Sequence, residues 1–191
     1  MKKVTLRYVE RQTDLNSGAA GAISEIFWWA NGLFDPRDAI GGHQPLGFDQ
    51  MMLMYNHWVV IGAKITIDFV NLDATNPQIV GIRPADDAVA LNSVERVMEF
   101  GTTKYKLLNK WGTAGDKTQM TYRINPNKFL GVSHPLSSSR VRGSATSNPA
   151  EGCFFGMFAA PQAAIDPGVV RCSVRIEYVA LFMEPKELAQ S

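Results

Sequence analysis

The sequence predicts an all-β protein, about eight strands folded as a two-sheet sandwich or jelly roll with one or two short helices. Three observations lead there. Apolar residues recur with period two over several long stretches. The turn-formers, 16 Gly and 10 Pro, are spread along the chain rather than clustered. The intervening connections are long and uneven, whereas an up-and-down barrel would use short, regular hairpins. No repeat and no linker interrupts the pattern, so residues 1–191 read as one domain.

The elements follow in order. Val4, Leu6 and Tyr8 alternate with Lys3, Thr5 and Arg7. Ile23–Ala30 is a bulky run holding Phe27, Trp28 and Trp29. Trp58–Asn71 places Val59, Ile61, Ala63, Ile65, Ile67 and Phe69 on one face. Gln78–Arg83 stops at Pro84, and Thr103–Asn109 and Lys117–Ile124 flank a Gly-Thr-Ala-Gly-Asp turn. Cys153–Ala160 is apolar on both faces. Val169–Met183 is the longest alternation: Val170, Cys172, Val174, Ile176, Tyr178, Ala180 and Phe182 face one way, Arg171, Ser173, Arg175 and Glu177 the other. Phe48, Met51, Met52 and Tyr55 fall at helical spacing with Asp49 near the start, and Pro84–Leu91, with Asp86 and Asp87 early, offers a second helix. The polar segment Gly131–Pro149 reads as a surface excursion.

Composition excludes several classes. Hydrophobic residues make up 46% of the chain and the net charge is +1, which argues against disorder. The stretch Met51–Phe69 is interrupted by Asn56, His57, Lys64 and Asp68, too polar for a spanning helix. The N-terminus has charges but no apolar core of a signal peptide. With no N-x-S/T sequon and only Cys153 and Cys172, synthesis in a reducing, intracellular place fits, with both cysteines as buried thiols.

No catalytic constellation is present. His43, His57 and His134 are widely spaced, and no H-x-H, H-E-x-x-H or C-x-x-C pattern exists. There is no G-x-S-x-G elbow and no phosphate-binding loop; Gly41-Gly42 reads as a turn. Asp86-Asp87 suits a helix start better than a cation. The expectation is a non-enzyme without cofactor or metal. Phe27, Trp28 and Trp29 cannot all face one core, because side chains alternate along a strand. At least one is covered by a loop, packs on another subunit, or stacks a sugar.

Charge is uneven along the chain. The first 11 residues hold Lys2, Lys3, Arg7 and Arg11 against Glu10, a net +3, and the remaining 180 carry −2. Lysines on a solvated edge strand would look the same.

Asn31–Asn71 resembles the capsid proteins of small circular single-stranded DNA viruses, the circovirus-like group. The shared elements are Asn31, Leu33 and Asp35-Pro36, the Gly42–Gln50 loop GHQPLGFDQ, Tyr55, and Val60–Ile65 opening a long strand; Arg171–Pro185 resembles the family's last strand. The resemblance implies a single jelly roll with strands B to I in sheets B-I-D-G and C-H-E-F. It further implies about sixty copies closing an icosahedral shell around single-stranded DNA, and so a virion component made inside the host cell. On the B-I-D-G face opposite the apolar stripe it would collect Lys3, Arg7, Lys64, Lys117, Arg123, Arg171 and Arg175 against Asp68 and Glu177. That face is the expected lumenal, phosphate-binding surface, unless the charges pair with one another. Subunit contacts are expected at Trp28, Trp29, Phe48 and Tyr55. Members of the family carry an arginine-rich arm with the nuclear import signal before strand B. This chain starts almost at strand B, and at about +1 per copy it is expected to form empty or weakly loaded shells. A lectin-like module stacking sugars on Trp28, Trp29, Trp58 or Trp111 is the alternative.

Overall fold

A computed structural model describes residues 1–17, 21–38 and 42–187. Gly41 of the Gly41-Gly42 pair lies outside them. Eight strands form: β1 (Lys2–Leu15), β2 (Ser24–Trp29), β3 (Tyr55–Asn71), β4 (Gln78–Ala85), β5 (Lys104–Leu108), β6 (Lys117–Ile124), β7 (Phe154–Pro161) and β8 (Val170–Pro185). They pair antiparallel in two four-stranded sheets, ordered β1-β8-β3-β6 and β2-β7-β4-β5. These are the expected B-I-D-G and C-H-E-F orders. No helix among the described residues is long and apolar enough to cross a membrane.

The sheets enclose one core in which Tyr8, Trp28, Phe48, Trp58, Phe69, Phe155, Tyr178 and Phe182 are buried. The seven inward positions read along β8 all lie in it. Two strands depart from strict alternation. In β3 the pairing shifts between Val60 and Gly62, so Trp58 and Val60 point inward with Ala63, while Val59 and Ile61 point outward. A bulge adds one residue to one strand and reverses every side chain beyond it. The expected common face of Val59 and Ile61 with Ile65 is thereby corrected. A second shift, between Glu10 and Thr13, carries β1 past Val9 to Leu15, with Thr13 and Leu15 now inward.

The helices also differ from expectation. α1 (Phe48–Met54) forms as read, after Gly47 in a left-handed conformation (φ 88°). The helix expected at Pro84–Leu91 is absent. Pro84 and Ala85 instead continue β4 opposite Phe155 and Phe154, and Asp86 and Asp87 are exposed in the turn beyond. The helix lies further on, α2 (Val94–Glu99), where the Ser93 side chain accepts from the Arg96 N–H. α3 (Pro126–Phe129) starts at Asn125, which caps Lys128, with proline in the first turn.

The segment from 86 to 99 covers the outer face of the β2-β7-β4-β5 sheet. Beneath it Glu25 and Arg83 form a buried ion pair, Arg83 Nε to Glu25 Oε1 2.5 Å. The pair also ties down the covering chain: Leu91 N–H donates to Glu25 and Arg83 donates to the Val89 carbonyl. The Gly131–Pro149 excursion is fastened at several points. Val141 is buried against Val59 and Met183, Gly143 bridges Trp58 through two backbone hydrogen bonds, and Trp58 Nε1 donates to the Ser144 carbonyl.

Candidate nucleic-acid interface

The outer face of β1-β8-β3-β6 brings together all seven predicted cations. Lys3 and Arg7 come from β1, Arg171 and Arg175 from β8, Lys64 from β3, and Lys117 and Arg123 from β6. Register sets them in lateral rows, one of which runs Arg7, Glu177, Lys64, Arg123 across four strands. Neighbouring strands are about 4.8 Å apart, so this row holds three cations around one carboxylate within about 15 Å.

The face is less positive than its sequence suggests. Asp14 also lies on it, opposite Arg171, because β1 runs on to Leu15. Three of the seven cations are neutralised in place. Arg171 makes two hydrogen bonds to Asp14 (3.0 and 3.2 Å), Arg175 pairs with Asp68 at 2.9 Å, and Lys64 pairs with Glu177 at 2.6 Å. These contacts lower the carboxyl pKa values: Arg171 draws Asp14 down, and Lys64, with Arg7 and Arg123 behind it, does the same for Glu177. Lys3, Arg7, Lys117 and Arg123 have no carboxylate partner among the described residues. Asp14 was invisible in the sequence because only the bulge tells which face it takes.

Of the predicted subunit contacts, two are withdrawn. Trp28 and Phe48 are 0% and 1% exposed in the protein's own core, and Trp28 Nε1 donates to Glu10. The parity of β2 sends Trp28 inward and Phe27 and Trp29 outward. There Phe154 and Ala85 complete a small cluster that leaves Trp29 partly exposed; Tyr55 is likewise half-buried. Leu46, Leu53 and Val89, which the sequence reading did not single out, are with Met1 the large apolar side chains most open to solvent, Leu46 at 89%. Trp58 is also fully buried, so the four tryptophans form no common platform for a sugar.

The motif residues behind the resemblance are structural. Asn31 accepts from the Cys153 N–H and donates to the Glu151 carbonyl, Leu33 is in the core, and Asn148 binds the backbone of Phe34 and Asp35. The opposite end of the sandwich is held by a polar knot. Asn71, Gln78 and Asp73 are buried there. Asp73 accepts from the N–H groups of Thr75, Asn76 and Gly168 and from the Asn76 side chain, while Asn71 bonds Asn76, Gln78 and Asn109. Burial pushes the Asp73 carboxyl up, but the hydrogen bonds outweigh it and hold the pKa at about 2. The histidines do not converge. His43 stacks on Tyr8, His57 lies 3.4 Å from Glu184, and no described group of His, Cys, Asp and Glu is arranged to hold a metal.

No protein-family model matches the chain, and no curated protein matches it by sequence. Solved structures do match by shape. The decameric BFDV capsid protein is 10% identical at a TM-score of 0.52, over 96% of this chain and 99% of that one. A chain of deformed wing virus is 13% identical at a TM-score of 0.50, over 97% of this chain and 47% of that one. The chain has the jelly-roll fold of viral capsid proteins. Both sheets of the jelly roll and their strand order follow the pattern expected from the sequence. Within it, four cations without an ion pair among the described residues, Lys3, Arg7, Lys117 and Arg123, lie on the exposed side of one sheet.

Proposed function

We propose that the chain is a capsid subunit, a virion component in which about sixty copies close an icosahedral shell around circular single-stranded DNA. The observation that carries this reading is the strand order of the two sheets, a jelly roll of the kind found in viral capsid proteins. The circovirus-like resemblance of Asn31–Asn71 supports the same choice. In this reading the β1-β8-β3-β6 face looks into the lumen, and Lys3, Arg7, Lys117 and Arg123 meet phosphates without regard to base sequence. Subunit contacts use exposed apolar side chains such as Leu46, Leu53 and Val89, together with the half-buried Trp29 and Tyr55. Self-complementary patches of this kind give closed symmetric assemblies.

Size-exclusion chromatography with negative-stain microscopy tests it. Sixty copies of a 21.1 kDa chain amount to about 1.3 MDa. A closed particle of that class is expected; a protein that stays monomeric or in small oligomers under all assembly conditions overturns the proposal. Charge reversal of Arg7 and Arg123 should reduce the nucleic acid recovered in particles more than reversal of Arg171 and Arg175, whose cations are already paired.

A further inference from the structure

The unpaired cations do not end at the sheet face. β5 and β6 are the last strands of the two sheets, and they face each other across the open side of the sandwich, joined by the 109–116 loop. Leu108 points into the core, so Lys106 and Lys104, two and four residues earlier on the same side of β5, point toward β6. Each reaches it: Lys106 Nζ donates to Thr118 Oγ1 at 3.1 Å, and Lys104 Nζ donates to the Thr121 carbonyl at 3.1 Å. Lys104 also lies over the Tyr122 ring, 5.2 Å from its centre. A cavity of about 410 Å³ opens between Lys104, Thr121, Tyr122 and Arg123.

Four cations therefore line this edge, Lys104 with Arg123 toward one end and Lys106 with Lys117 toward the other. None of them has a carboxylate partner among the described residues. The carboxylates on the adjoining strand and loop are otherwise engaged. Asp68 is held by Gln119 and Arg175, and Asp116 accepts the Gly112 N–H. Concentrating four lysine and arginine charges without neutralisation costs folding free energy, which a bound polyanion would offset. The two lysines are also held by contacts to neutral oxygens, which orients their heads along the edge. Trp111 is half exposed in the loop that joins these two strands, whereas Trp28 and Trp58 are buried.

We infer that the β5–β6 edge is a binding track for single-stranded nucleic acid, with Lys104, Lys106, Lys117 and Arg123 taking consecutive phosphates and Trp111 stacking a base. The inference rests on the capsid reading only for the identity of the polymer, and it adds Lys104, Lys106 and Trp111 to the contacts proposed for the sheet face. A track at the sandwich edge would lead the strand from the face of one copy toward a neighbour.

The test is fluorescence anisotropy of labelled oligothymidylate across a salt series, with assembly scored separately by microscopy. Lys104→Gln with Lys106→Gln should weaken binding about tenfold at low salt and reduce the salt slope by about 1.4, since each phosphate contact on a single strand contributes about 0.7. Trp111→Ala should lose about tenfold and abolish the quenching of tryptophan fluorescence on binding. Arg171→Gln with Arg175→Gln is the comparison and should change the slope far less. Unchanged affinity and slope in the lysine variant overturn the track, as does absence of binding by the unmodified protein at low salt. Because assembly is read independently, loss of the track and loss of the capsid reading give different results.

Discussion

Replacing Asp73 by Asn tests how the loop end of the sandwich is held. The carboxylate is 8% exposed and accepts four hydrogen bonds, three from backbone N–H groups and one from the Asn76 side chain. An amide keeps one acceptor oxygen and turns a donor toward the remaining N–H groups. The free energy can be gauged from the carboxyl's own titration. Its pKa falls from 3.8 to about 2 on folding, nearly two units at about 1.4 kcal/mol each, or about 2 kcal/mol. A lowered folded-state pKa contributes stability that is complete well above 3.8 and lost as pH falls toward 2. Asp73→Asn should therefore cost about 2 kcal/mol at pH 7, and the gap to the unmodified protein should narrow by about 1 kcal/mol at pH 3. Urea unfolding followed by the fluorescence of buried Trp28 and Trp58 reads both values. A variant within about 0.5 kcal/mol of the parent at pH 7, or a gap of the same size at both pH values, would refute the reasoning.

Further outcomes follow from single contacts. Glu25→Ala leaves Arg83 buried without its partner and should cost about 3–5 kcal/mol, whereas Glu25→Leu with Arg83→Met should recover most of it, both measured by urea titration. Gly143→Ala places a Cβ into the Trp58 ring and should release the 131–149 segment to limited proteolysis; Gly101→Ala, where a Cβ meets nothing, should not. Burial raises the Cys153 pKa to about 12 and that of Cys172 further still, so neither thiol should react with a thiol reagent at pH 8 until the protein is unfolded in urea.

Much of the strand inventory was legible because a period-two apolar pattern is a local property of the chain, and β8 shows it over most of its length. The bulges were not legible. Nothing in Val59, Val60, Ile61 and Gly62 announces that the strand changes parity there, since all four are compatible with either face. The consequence spread to the basic face, where the sequence count missed Asp14. Trp28 and Phe48 were misplaced for a related reason: an aromatic residue suits a core and an interface equally, and only the inward parity of β2 and the seat of α1 on β3 decide which. The helix that starts after Ser93 was missed because the two aspartates before it imitated a helix start.

The chain's own chemistry set the strands, the inward row of β8 and the presence of seven cations on four strands. The fold alone determined which of those cations remain free. Asp14 and Arg171 are 157 residues apart, and Asp68 and Arg175 are 107 apart. Their pairing depends on the lateral register of strands distant in sequence, and register is set by how the whole core packs.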